Sequence, residues 1–146
     1  MALDRSFIER NCASTNRMRA LVERLSNGGL RLPFGKHWTV STTLVHLAFW
    51  DLRVLYLLDA TERNGKLSAT PKIDIAINDI ALPLWAAIPP REAARIAIET
   101  AETLDRRLEN FPPALLDEIH DYHERWVVRA VHRNAHLDPV DAALKR

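Results

Sequence analysis

The fold turns on the stretch Thr39-Val40-Ser41-Thr42-Thr43-Leu44-Val45-His46-Leu47-Ala48-Phe49-Trp50-Asp51-Leu52-Arg53-Val54-Leu55-Tyr56-Leu57-Leu58-Asp59-Ala60-Thr61. The Thr39 hydroxyl suits a helix N-cap, and Asn64-Gly65 just beyond reads as a turn. Between them apolar residues fall on nearly every face rather than along one stripe. Such a helix belongs at the centre of an assembly, as its most buried element. It is interrupted by His46, Asp51 and Arg53 and its apolar part is too short to span a bilayer.

Working outward, Leu3, Phe7, Met18, Leu21, Val22 and Leu25 recur at helical steps and define a first helix over 3–25, with a polar middle at Ser14 to Asn16. Asn27-Gly28-Gly29 is expected to end it, because glycine takes the left-handed conformation of a C-cap. A connector with Pro33 and Gly35 follows. Ile73, Ile75 and Ile77 alternate like a strand that has no partner, so 66–90 reads as a connector entering a short helix from Asn78, disturbed by Pro83 and closed by Pro89-Pro90. Ala94, Ala97, Ala101, Leu104 and Leu108 form the seam of a third long helix, stopped by Pro112-Pro113. After a short turn at 115–119, a fourth helix is expected over 121–136. Pro139 lacks the N–H that would bond to Ala135, so a kink or restart is expected there, with Asp138 as the new cap. Four long amphipathic helices, with one long connection between the second and third, make an all-α four-helix bundle. Residues 1–146 read as a single domain.

Composition narrows the function classes. An apolar fraction of 47% with 27% charged residues is globular rather than disordered. Twenty Lys+Arg against nineteen Asp+Glu leave a net charge of +1, without the basic excess that nucleic acid or an acidic membrane would demand. The lone Cys12 forms no intrachain disulfide, and the start MALDRSFIERN has no basic-then-apolar leader, so a soluble cytoplasmic protein is expected. Cys12, with only Arg10 as a basic neighbour, reads as a small buried residue and not a nucleophile.

Histidine carries the chemistry. His132-x-x-x-His136 places two imidazoles one turn apart on one helix face, within reach of one ion. Two histidines at this spacing are a weak motif alone, and a third ligand is needed. His46, inside the most apolar helix, is the candidate; the alternative is a core histidine bonded to a backbone carbonyl. A competing cluster, His120-Asp121-Tyr122-His123-Glu124 with Asp117, reads instead as a solvated helix start with acids near the positive dipole end. His37 sits in a connector. No His-Glu-x-x-His, phosphate-binding loop, Gly-x-Ser-x-Gly or dinucleotide fingerprint is present.

Trp38-Thr39-Val40-Ser41 followed by Leu44-Val45-His46-Leu47-Ala48-Phe49-Trp50-Asp51 resembles the second-helix signature of the DinB/YfiT-like superfamily of metalloenzymes, which includes domains related to the N-terminal parts of mycothiol-dependent maleylpyruvate isomerases. Ile73 to Asp79 with Leu82-Pro83-Leu84-Trp85-Ala86-Ala87-Ile88-Pro89-Pro90-Arg91-Glu92-Ala93 resembles that family's connector into its third helix, and His132 with His136-Leu137-Asp138 its last-helix motif. The resemblance covers almost the whole chain in order. It implies an up-down-down-up four-helix bundle, often a homodimer, with one divalent ion on His46, His132 and His136 and a small-molecule substrate. Two departures stand out: Pro139, where the family continues helically, and Ala135, where an acid is frequent. Three neutral histidines leave coordination positions open, as catalytic metals do. Zn²⁺ suits them first, with Ni²⁺, Fe²⁺ or Mn²⁺ as alternatives. Such an ion lowers the pKa of a bound water or binds a thiolate. The resemblance permits a low-molecular-weight thiol cosubstrate such as mycothiol or bacillithiol.

Helical geometry places Thr42, Phe49, Trp50 and Arg53 near the His46 face, and Arg125, Val128 and Arg129 along the His132 face. Trp50, Arg53 and Arg129 are the candidate pocket lining. The two arginines either meet an anionic substrate at the pocket mouth or snorkel and pair with Asp51 or Glu residues at the surface; Trp50 reads first as packing. No Glu or Asp falls clearly on the His46 face as a general base. The function that follows is a metal-dependent thiol S-transferase or hydrolase; the alternative is a bundle that binds a metal or small ligand without turnover. Leu55, Tyr56 and Leu58, off the His46 face, are expected to meet a second copy together with Phe7, Ile8 and Met18, unless the 66–90 connector folds over them.

Overall fold

The computed structural model describes residues 3–69 and 71–145. In chain order the elements are α1 (Ser6–Arg24), α2 (Asn27–Leu30), β1 (Pro33–Phe34), β2 (Trp38–Thr39), α3 (Val40–Asn64), α4 (Ile77–Ile80), α5 (Leu82–Ala86), α6 (Pro90–Glu109), α7 (Pro113–Tyr122), a 3₁₀ turn at Glu124–Trp126, and α8 (Arg129–Leu144). The fold class is all-α, as expected.

Helix α3 begins where its chemistry says it should. Thr39 Oγ1 accepts from the Thr42 N–H at 3.1 Å, and the Thr42 hydroxyl accepts from the Thr39 N–H at 2.9 Å, a reciprocal cap. It ends at Gly65, whose φ of 69° is left-handed. Every residue from Val40 to Ala48 is buried. The helix packs on α6 along one side and on α8 and α5 along others. The α6 seam is as read: Ala94, Ala97, Ala101, Leu104 and Leu108 are all buried. Its alanines meet Leu44, Leu47, Ala48, Met18 and Leu21, while Leu104 and Leu108 join Val54, Leu57, Leu58 and Phe7.

Several local expectations are corrected. Helix α1 stops at Arg24, and Asn27-Gly28-Gly29 is not its C-cap but a separate helical turn; the Ser26 side chain accepts from the Gly29 N–H at 3.1 Å. The connector with Gly35 forms a two-residue hairpin, Pro33 opposite Thr39 and Phe34 opposite Trp38. The short helix expected from Asn78 begins at Ile77, is interrupted at Ala81 beside Pro83 and ends at Ala86 ahead of Pro89-Pro90, as read. Beyond that reading, Pro83 and Pro90 stand in the first turns of α5 and α6, where a proline loses no intrahelical bond. The fourth long helix starts at Arg129, not Asp121: residues 113–122 form their own helix, and extended backbone at His123 breaks the chain after it.

At Pro139 the helix does not restart, and α8 runs through it to Leu144. Ala135 and Pro139 are both exposed, so the carbonyl freed by the missing N–H can bond to water. Asp138 caps nothing and instead pairs with Arg17 at 2.8 Å. Cys12 is exposed, not buried. Phe7, Met18 and Leu58, assigned above to a second copy, are buried within the chain. Tyr56 remains 67% exposed and Leu52 51%. The connector covers a different part of α3: Ile77 and Trp85 pack with Val45 and Phe49. No helix among the described residues is long and apolar enough to cross a membrane.

Candidate metal centre

His46 projects from the apolar middle of α3, and His132 and His136 from successive turns of α8. Each offers a ring nitrogen, and the three atoms lie within 4.8 Å of one another. His46 is 3% exposed and the other two are half-buried. Among the described residues this is the one group of three or more His, Cys, Asp or Glu side chains arranged to hold an ion. His46 Nε2 and His136 Nε2 face each other at 3.2 Å across 90 residues of sequence.

The protonation pattern follows from the neighbours. Trp50 Nε1 can only donate, and it lies 3.0 Å from Asn78 Oδ1. The same oxygen lies 3.1 Å from His46 Nδ1, so that nitrogen donates too and carries the ring proton. The lone pair of a neutral His46 is therefore on Nε2, facing the cluster. Burial, then the neighbouring His136 and Arg129, lowers the His46 pKa to about 4, against the Asn78 bond that raises it. Burial and the adjacent Arg129 take His132 down to about 2, and burial lowers His136. All three rings are neutral near pH 7, which is the ligand form.

Residue type, burial and spacing thus fit an imidazole-preferring divalent ion. One adjustment is needed at His132. Arg129 Nη2 lies 3.2 Å from His132 Nδ1, and a guanidinium has no acceptor. In this arrangement Nδ1 accepts and the neutral ring carries its proton on Nε2; to hold an ion through Nε2, the ring would have to carry that proton on Nδ1 and Arg129 Nη2 would have to give up this contact. Around the rings, Trp38, Trp85 and Trp50 stand edge-on to His46 at 5.4, 6.0 and 6.4 Å between centroids, forming an apolar wall.

Behind the histidines lies a buried charged scaffold, of which the sequence reading offered only the Asp51–Arg129 pairing, and that at the surface. Asp51, 1% exposed, accepts from Arg129 Nε at 2.9 Å and from Arg133 Nη2 at 3.1 Å. Arg133, fully buried, also donates to Asp105 at 2.9 Å, Thr15 Oγ1 at 3.1 Å and Ser14 Oγ at 3.2 Å. Two guanidiniums and two carboxylates balance, as buried charge requires. Asn11 adds a cap in trans: its Oδ1 accepts from the Ala130 N–H at 2.9 Å, in the first turn of α8. The available signal was the polar middle of α1, with Asn11, Ser14 and Thr15 at helical spacing facing inward.

Of the pocket-lining candidates, Arg129 is at no pocket mouth; it is 4% exposed and held by Asp51. Trp50 and Arg53 are half-buried. The competing cluster does not assemble, because the break at His123 takes Glu124 off the helix of His120; both line a cleft of about 400 Å³ against α1. His37 is exposed and apart from the site. No family model, curated protein or solved structure matches this chain.

Proposed function

We propose that the chain is a DinB/YfiT-like four-helix bundle, built on α1, α3, α6 and α8, that holds one divalent ion on His46, His132 and His136. The observation that carries this reading is the convergence of three neutral imidazoles, one buried and two half-buried, from two helices on one point. Zn²⁺ is the first choice, ahead of Ni²⁺, Fe²⁺ or Mn²⁺. When bound, the ion supplies Lewis acidity, lowering the pKa of a water or a thiol and holding the conjugate base. The chain's own residues do the rest. Asn78 orients His46 through its Nδ1 proton, the Asp51–Arg129 pair stands behind His132, and the tryptophans limit water on the His46 side. On this reading the protein is a metal-dependent enzyme of thiol transfer or hydrolysis acting on a small molecule, cytoplasmic, and a homodimer through the exposed Leu52 and Tyr56 side of α3.

One observation favours the second reading, an ion-holding bundle without turnover. Among the described residues no carboxylate is hydrogen-bonded to any of the three rings, and Asp51 is engaged by two arginines, so no general base touches the site. Element analysis of tag-free protein, followed by Zn²⁺ calorimetry, tests the site: one equivalent bound by the wild type and none by His132→Ala is the expected result. Zn²⁺ binding unaffected by His132→Ala refutes it. A screen of thiol cosubstrates with electrophilic acceptors then separates enzyme from binding module.

A further inference from the structure

Arg53 differs from the chain's other partly or fully buried arginines. Arg17, Arg19, Arg107, Arg129 and Arg133 each pair with a carboxylate. Arg53 pairs with none among the described residues. Its guanidinium carbon lies over two indoles, 5.7 Å from the Trp50 ring centre and 5.2 Å from that of Trp126. Among the described residues its one hydrogen bond runs from Nη2 to the Pro71 carbonyl at 3.5 Å, and Nε is buried without a partner. A buried donor on a cation, left without a partner, costs free energy unless something completes it.

The surroundings point to an anion. Burial lowers the Arg53 pKa, and burial with Arg125, Arg53 and Arg129 disfavours protonation of the adjacent His123, which stacks on Trp126 at 4.8 Å. The nearby acids look elsewhere: Asp121 and Glu124 line the cleft against α1, and Asp51 is held by Arg129 and Arg133. Arg53 follows His46 by seven residues on α3, about two turns and about 10 Å along the axis. Trp50 lies between the two, in contact with both rings' surroundings.

We propose that Arg53, lying over Trp50 and Trp126, is the carboxylate-binding subsite for the small molecule that acts at the three-histidine centre. A planar guanidinium presents parallel N–H donors that match a carboxylate's two oxygens, which an ammonium cannot do. This inference rests on the proposed ion site for its purpose but not for its test. Benzoate, with benzamide as the uncharged counterpart, is titrated by calorimetry into full-length protein with and without Zn²⁺. Benzoate binding at least about tenfold tighter than benzamide is expected, with a loss of about tenfold or more in Arg53→Gln, partial recovery in Arg53→Lys and unchanged Zn²⁺ affinity in both. Equal benzoate affinity in wild type and Arg53→Gln overturns the subsite, as does wild-type failure to prefer benzoate over benzamide. If Arg53→Gln loses its helical circular dichroism, the comparison of wild type with Arg53→Lys decides instead. Absence of Zn²⁺ binding in the wild type refutes the ion site and leaves Arg53 to be judged on benzoate alone.

Discussion

Helix α3 has two unlike neighbours. Toward α6 it meets alanine and leucine, a dry seam in which small side chains let the helices approach closely. Toward α8 it meets Arg129, Arg133 and the two histidines, and answers with Asp51 and His46. The first interface gains from every apolar atom removed from water. The second must recover the desolvation of three charged groups, Asp51, Arg129 and Arg133, before it gains anything. A polar half of this kind persists where the rings need fixed positions, and the apolar half is what makes it tolerable.

The strongest way to break the contrast is Asp51→Ala. It leaves Arg129 and Arg133 buried beside one remaining carboxylate, Asp105, and should cost about 3–5 kcal/mol in denaturant unfolding. A loss under about 1 kcal/mol would mean that water enters the scaffold. Zn²⁺ tests the same half from the other direction: at a hundredfold excess over its Kd it should stabilise by about 2.7 kcal/mol, read as a higher melting temperature. His132→Ala should abolish that rise and His120→Ala should leave it intact. On the apolar half, Ala101→Leu overfills a fully buried position and should cost about 1–3 kcal/mol without changing Zn²⁺ affinity.

Asn78→Ala removes the acceptor shared by His46 and Trp50, and should weaken Zn²⁺ binding about tenfold to a hundredfold with little effect on the urea midpoint. The effect of pH reads the same rings. Unfolded histidines titrate near 6.5, while folded His46 and His132 titrate near 4 and 2. Above about pH 6.5 both states hold neutral rings and stability is flat. As pH falls toward 4 the unfolded chain takes up protons the folded chain refuses, so stability declines. Urea midpoints at pH 7, 6 and 5 should show the decline, and His132→Ala should flatten part of it.

What the sequence determined by itself was whatever repeats at helical spacing. The span of α3, its Thr39 cap, the α6 seam and the paired spacing of His132 and His136 all depend on residues a few positions apart, so local periodicity suffices to find them. His46 was legible as an anomaly, a titratable ring in an apolar helix. Tertiary structure alone decided the rest. Pro139 is tolerated because the carbonyl it frees faces solvent, and Asn11 caps a helix 119 residues away. Asp51, Arg129 and Arg133 look like surface charges until α8 turns them onto one another, and Asn78 becomes a partner of His46 only when the connector folds back over α3. Each of these polar groups is satisfied by a residue distant in the chain, and the energy that selects the partner exists only after both have been taken out of water.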